Sequence, residues 1–374
     1  MTESDYYEIV RQKLDIGHIK HPKHEKFYEL MKVFWDEKDI KLLSHFPNAG
    51  EVISLKELVE KSGMPKDEVK KILKKVVKKR TVARHGMKYG LAPLLPGVFE
   101  AYYIAQQDTK ENLKKAAKLY RFFFKNPSAE TRERDFQLFS PILPYEAKEK
   151  LIKIDQKVDT ESRVLPFELV EELINKNEHF AVIPCQCRLI AELNDEPCEV
   201  APSEMGCFLT GMSAQGVVAL GFGRALTKEE AIEFLKETEK KGLVHNAPND
   251  SSDHSFICNC CGCHCGALSP MKQFQIQNVR PSNFRPNINR EICVLCQTCL
   301  IKCPMSIIIH EGEKGAPDEK MIINIDLCIG CGICAANCAK DAITMEKIDN
   351  VIPPKENKIG NTSFDEILGN LITP

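Results

Sequence analysis

Hydrophobic positions in the first third of the chain repeat at helical spacing. From Lys26 to Phe46, Phe27, Leu30, Met31, Phe34 and Trp35 are followed by Ile40, Leu42, Leu43 and Phe46, which predicts two amphipathic helices behind a peripheral N-terminal one. Ser54 then caps the short helix SLKELVEKSG, with Gly63 as its stop. Pro65 opens a third helix, whose Val69, Ile72, Leu73, Val76 and Val77 form one stripe, and TVARHGMKYGLAP reads as two short strands around Gly86.

That order of elements over residues 36–96 resembles a winged helix-turn-helix. The resemblance implies a third helix laid in DNA, with Lys66, Lys70, Lys71, Lys74, Lys75, Lys78, Lys79 and Arg80 as phosphate contacts. A lysine-rich face is also that of an ordinary solvated or protein-docking helix, and few residues here read base edges, so DNA is the weaker expectation.

Further on, residues 98–125 predict one long helix rich in aromatics, and the proline-broken stretch 126–166 a surface linker with one short helix. Residues 167–180 read as an amphipathic helix. AVIPCQCR reads as a buried strand that delivers Cys185 and Cys187 to a loop, and Thr227 with Glu230 starts a helix that Gly242 stops.

The strongest chemical signal lies in residues 291–346. Cys293, Cys296, Cys299 and Cys303 repeat 35 positions later as Cys328, Cys331, Cys334 and Cys338. This spacing resembles bacterial-type ferredoxins with two [4Fe-4S] clusters, in which the fourth cysteine of each run ligates the other cluster. The crossed assignment is Cys293, Cys296, Cys299 and Cys338 for one cluster, and Cys328, Cys331, Cys334 and Cys303 for the other. Zinc sites do not need a third cysteine in each run. Leu295 and Gln297 replace the glycines found as Gly330 and Gly332, and Ala339 stands where the first copy has Pro304.

Nine more cysteines precede this segment. Cys185, Cys187, Cys198 and Cys207 are candidates for a third iron-sulfur cluster, with structural zinc as the alternative, and Arg188 stands beside them to tune the thiols. Cys258, Cys260, Cys261, Cys263 and Cys265 are candidates for metal binding or redox chemistry. In an extended chain, Cys261, Cys263 and Cys265 share one face with His264 opposite; in a turn this parity fails. His245, His254 and His264 are candidate ligands or proton donors.

Composition narrows the class. The 374 residues carry 17 cysteines, a formal charge of -2, and 28% charged residues, as in a globular protein of two or three domains. With no signal-peptide pattern at the start and no apolar run of about 18 residues, the expectation is a cytoplasmic protein without membrane insertion. Oxygen-sensitive clusters would suit an anaerobic host.

The fold expected is α+β and multidomain: a helical extension (1–35), a winged-helix-like module (36–96), a helical connector and linker (97–166), a mixed α/β cysteine-rich domain (167–280), a duplicated ferredoxin fold (281–346) and a loosely attached tail (347–374). This layout resembles dicluster ferredoxin fusion proteins of anaerobic bacteria and archaea. The expectation is an iron-sulfur electron carrier relaying single electrons to or from a partner oxidoreductase. The alternatives are a redox-sensing winged-helix regulator and a reductase acting at the CNCCGCHC region; no acid, base or nucleophile stands out.

Overall fold

The structure is a computed structural model that describes residues 2–127, 137–145, 147, 152–154, 165–252 and 254–372. It is a mixed α/β chain with several small sheets.

Helices α1 (Glu3–Lys13), α2 (Glu25–Phe34), α3 (Glu37–Leu43), α4 (Leu55–Ser62) and α5 (Lys66–Lys78) build the N-terminal part, with a three-stranded sheet of β1 (Ile53–Ser54), β2 (Ala83–His85) and β3 (Lys88–Gly90) in the order β1-β3-β2. The cap of α4 follows the sequence reading: Ser54 and Glu57 form a capping box, and Gly63 ends the helix in the left-handed conformation. Of the eight basic residues on and just after α5, three find internal partners. Lys75 pairs with Asp36 and Asp39, Lys79 pairs with Asp108, and Arg80 is buried with its guanidinium over Phe222.

The long helix expected over residues 98–125 is two: α6 (Phe99–Ala105) and α7 (Lys110–Lys125). Gln106 turns left-handed, and the Thr109 hydroxyl accepts from the Asn112 N–H to cap α7, a start signal inside QQDTKEN that the aromatic periodicity overran.

The middle of the chain is organised by an antiparallel six-stranded sheet, ordered β4-β9-β10-β7-β6-β8. Its strands are β4 (Phe139–Pro141), β6 (Phe180–Ile183), β7 (Cys207–Thr210), β8 (Arg224–Leu226), β9 (Val244–Pro248) and β10 (Phe256–Cys260). β4 comes from the expected linker, as does β5 (Ile152–Ile154), which pairs in parallel with β14 below; the short helix expected there lies outside the described residues. Around the sheet pack α8 (Val170–Lys176), α9 (Gln186–Leu193), α10 (Gly211–Ala219) and α11 (Lys228–Lys241), then α12 (Leu268–Phe274). α8 is shorter than the expected helix because Pro166–Glu168 form a 3-10 turn before it.

The cysteine repeat carries β11 (Phe284–Ile288), α13 (Thr298–Lys302), β12 (Ile308–Glu311), β13 (Lys320–Ile323), α14 (Ile333–Ala336) and β14 (Ile343–Lys347). Its pseudo-symmetry shows in the short helix that carries the third cysteine of each copy, Cys299 in α13 and Cys334 in α14.

The final stretch is not loosely attached. After the small strands β15 (Lys358–Ile359) and β16 (Thr362–Ser363), helix α15 (Phe364–Ile372) buries Phe364, Ile367, Leu368, Leu371 and Ile372 in the core shared with α1–α7. Arg80 donates to the Leu371 carbonyl at 3.3 Å, and the Phe364 ring meets Phe139 and Phe256 edge-on. The apolar spacing of FDEILGNLI at helical period is the signal for it.

Candidate metal and redox centres

In the cysteine repeat, the loops before α13 and α14 curl each set of three cysteines around a small hollow. One hollow is lined by Cys293, Cys296, Cys299 and Cys338, the other by Cys303, Cys328, Cys331 and Cys334. Backbone amides aim at these sulfurs: Gly330 N–H at Cys328 Sγ (3.4 Å) and Ala342 N–H at Cys338 Sγ (3.3 Å). Such N–H···S contacts favour thiolate and tune an iron-sulfur centre, so the donor set fits the group.

The first copy keeps the loop shape without its glycines. Gly330 and Gly332 have φ of 68° and 74°, while Leu295 and Gln297 stand at 56° and 62°. The loop geometry therefore overrides the steric cost of a Cβ in the left-handed region.

The other nine cysteines divide differently from the sequence expectation. Cys198 does not form one site with Cys185, Cys187 and Cys207. It gathers with Cys261, Cys263 and His264, whose ligand atoms all lie within 4.8 Å of one another. Cys198 and Cys263 sulfurs are 3.4 Å apart, and His264 Nδ1 is 3.1 Å from Cys263 Sγ. A tetrahedral zinc ion, with Zn–S of about 2.3 Å, sets sulfurs about 3.8 Å apart, so this Cys3His set fits one mononuclear ion. The physical reason for the regrouping is a turn. β10 ends at Cys260, so the alternating parity stops there, and His264 swings to the same side as Cys261 and Cys263 while Cys265 does not.

Cys265 instead joins the remaining thiols. Its Sγ lies 3.2 Å from Cys260 Sγ. Cys258 and Cys260 share one face of β10, Cys207 begins β7, and Cys185 and Cys187 sit at the start of α9 rather than on a free loop. Gly206 allows the approach of the last two segments, because a Cβ there would meet the Ile183 carbonyl at 1.9 Å and the Cys185 nitrogen at 2.4 Å.

Arg188 lies between the two thiol groups, fully buried. Its guanidinium donates to the carbonyls of Pro202 (3.1 Å), Asn259 (2.8 Å) and Met205, and no carboxylate pairs with it among the described residues. Burial pulls its pKa down, but the surrounding Cys185, Cys261, Cys207 and Cys198 sulfurs more than offset this and hold the guanidinium charged. An isolated buried cation is costly, and the neighbouring sulfurs are the groups placed to offset it.

Among the described residues, His245 and His254 lie outside this ligand set. His245 is held between Asn259 Oδ1 (2.7 Å) and Glu239 (3.0 Å), and His254 is buried 3.5 Å from Asp250.

The thiol-rich region and the cysteine repeat touch closely. A Cβ on Gly262 would fall 1.9 Å from the Pro304 carbonyl oxygen, so the CGCHC turn and the CP turn meet backbone to backbone. Lys272 Nζ donates to Ser306 Oγ (2.7 Å), Asn337 to the Glu239 carbonyl (2.9 Å), and buried Lys347 pairs with Glu168 at 3.0 Å. Ala339, the counterpart of Pro304 in the second copy, is exposed.

Known proteins match a segment of this length. Pyruvate synthase subunit PorD of Methanothermobacter marburgensis is 36% identical over 64 residues, which is 17% of this chain and 68% of that subunit. PorD of Thermotoga maritima is 43% identical over 64 residues, 58% of its length. The ferredoxin-type protein NapF of Haemophilus influenzae is 36% identical over 53 residues, 14% of this chain and 30% of NapF. Through this segment the chain belongs to a ferredoxin-like iron-sulfur family. The matches leave most of the chain uncovered, and this chain spans about three-fifths to two-thirds of the PorD subunits. No profile of a known protein family matches the chain. No solved structure matches it either. Among the described residues no helix is long and apolar enough to cross a membrane.

Proposed function

We propose that the chain is an electron-transfer protein binding two [4Fe-4S] clusters, one on Cys293, Cys296, Cys299 and Cys338 and the other on Cys303, Cys328, Cys331 and Cys334. It relays single electrons between a partner oxidoreductase and a further metal or redox centre in its own thiol-rich region. Clusters in these sites would supply one-electron redox capacity. The backbone contact of Gly262 with Pro304, the residue after Cys303, carries the reading, since it leaves no solvent layer between the two cysteine-rich regions.

The residues give the ferredoxin-like domain two ends. Cys296 is exposed, and Cys293 is flanked by the exposed side chains of Ile292 (47%) and Val294 (58%), an apolar surface suited to a redox partner. The Cys303 set faces inward. PorD is by name a subunit of pyruvate synthase, which supports a redox enzyme as the partner. The mononuclear site on Cys198, Cys261, Cys263 and His264 is suited to structural zinc, fixing the turn that presents Gly262 to Pro304.

The regulator alternative is not favoured. The expected DNA-facing segment, α5 with the two residues after it, spends Lys75, Lys79 and Arg80 on internal partners.

The test is iron, acid-labile sulfide and low-temperature EPR on anaerobically purified protein, with Cys338→Ser as the variant. About four irons and one cluster signal should be lost in the variant while the other signal persists. Recovery of zinc without sulfide in the repeat would sink the reading.

A further inference from the structure

Six of the nine extra thiols are neighbours in a closed circuit. Cys185 meets Cys187 and Cys207, Cys187 meets Cys265, Cys265 meets Cys260, Cys260 meets Cys258, and Cys258 meets Cys207. The members come from four separate segments, so the fold assembles the circuit. One ion cannot use it, because tetrahedral zinc takes four ligands and octahedral sites favour oxygen donors.

The surroundings are built for bound sulfur rather than for free thiols. Gly266 N–H points at Cys187 Sγ (3.4 Å), and Ala267 and Leu268 N–H point at Cys265 Sγ (3.3 and 3.5 Å). Asn246 is fully buried, and its carboxamide, beside the Cys260 sulfur, makes no other hydrogen bond. A buried amide left so is costly unless an acceptor stands there, and cluster sulfide is one. Arg188 supplies the countercharge for an anionic centre.

The circuit is also one wall of a chamber of about 240 Å3. The opposite wall comes from the N-terminal helices, with Phe27, Leu30, Phe99, Phe123 and Phe124, and the Glu100 carboxyl reaches the same space. His21 and Tyr120, which also border it, are engaged elsewhere, His21 with Asp15 and the Leu94 N–H, and Tyr120 with the Leu94 carbonyl. Lys20, which pairs with Asp15, and the amides Gln186, Asn126, Asn259 and Asn278 also border it, but most of the lining is apolar. An apolar cavity of about 150 Å3 admits benzene, so a space of about 240 Å3 has room for a small molecule beside the thiols.

We propose that Cys185, Cys187, Cys207, Cys258, Cys260 and Cys265 hold a polynuclear iron-sulfur cluster, separate from the ferredoxin-like pair and from the mononuclear site, and that it faces a chamber for a small, uncharged, mainly apolar molecule. The site stands on its own thiols and does not require the crossed assignment in the repeat.

The experiment compares anaerobic wild-type protein with Cys207→Ser/Cys258→Ser for iron, sulfide and EPR, and titrates benzene into both and into Leu95→Trp, whose side chain borders the chamber. Iron above the roughly eight expected of two cubanes, lost in the double variant while the ferredoxin-like signals persist, is the expected result. Those persisting signals show that the variant folds. Benzene should shift the EPR of the variant-sensitive centre in wild type but not in Leu95→Trp. Equal iron in wild type and double variant overturns the cluster, as does zinc in place of the lost iron. A benzene response that is absent, or unchanged by Leu95→Trp, overturns the chamber. Wild-type protein that lacks the ferredoxin-like signals yet carries iron lost in the double variant would strike the earlier reading and leave this one standing.

Discussion

The Pro304 carbonyl oxygen occupies the position from which a side chain on residue 262 would have to start, 1.9 Å from the Cβ it would carry. Any residue but glycine must push the CGCHC turn away from the cysteine repeat. Gly262→Ala is therefore expected to cost about 1–3 kcal/mol, the usual penalty of overpacking. Its iron content should stay at the wild-type level, while electron transfer between the repeat and the thiol-rich region slows. Stopped-flow reduction followed by freeze-quench EPR measures this; an unchanged rate would remove the junction from the pathway.

Cys198 was grouped by sequence with Cys185, Cys187 and Cys207, yet it belongs with His264. Cys198→Ala should abolish one equivalent of bound zinc per chain with no change in iron, as read by elemental analysis. Iron lost in step with zinc would mean that the two thiol groups form one centre.

At Gln297 the backbone carries φ of 62° with an exposed side chain, whereas its counterpart is Gly332. Gln297→Gly removes a Cβ clash worth about 1–2 kcal/mol, partly offset by the greater freedom of glycine when unfolded. The expected outcome is a gain of up to about 1 kcal/mol in anaerobic denaturant unfolding, with the cluster retained. A loss of stability would show that the Gln297 side chain itself supports the loop.

Glu100 is the titrating group to follow. Burial lifts its carboxyl from 4.5 to about 7, against the opposing hydrogen bond from the Gly97 N–H. The folded chain keeps a proton that the unfolded chain releases, so this contribution to stability is full below pH 4.5 and is lost as pH rises through about 7. Glu100→Gln should flatten the dependence, removing about 2 kcal/mol of the decline between about pH 5.5 and pH 8. Parallel curves for the two proteins, from anaerobic unfolding at each pH, would contradict this.

The parts of this architecture readable from sequence are those with local causes. Ser54 and Gly63, and Thr227 and Gly242, cap the helices they were expected to cap, because a cap is a contact within three or four residues. The first three cysteines of each run share one hollow because their spacing is a loop geometry, while the fourth lining cysteine comes from the other copy, a long-range contact that only the ferredoxin resemblance supplied. The thiol-rich region was not legible in the same way. Which of nine cysteines meet depends on where β10 stops, on the close approach that Gly206 permits, and on the pairing of β10 with β7 and β9, all of them long-range. The broken helix at Gln106 and the docked α15 were missed for the opposite reason: their local signals, a Thr109 cap and the apolar period of FDEILGNLI, are present but weak beside the prolines and aromatics around them.

Helix α15 sets an order of assembly. The core formed by α1–α7 is completed only by Phe364, Leu368 and Leu371, the last part of that core to leave the ribosome. Until then Arg80 lacks its Leu371 acceptor and the Phe139 and Phe256 rings lack Phe364. Until α15 packs, the aromatic wall beside the cysteine circuit is incomplete. Helix α15 thus closes that wall over the thiols once it packs.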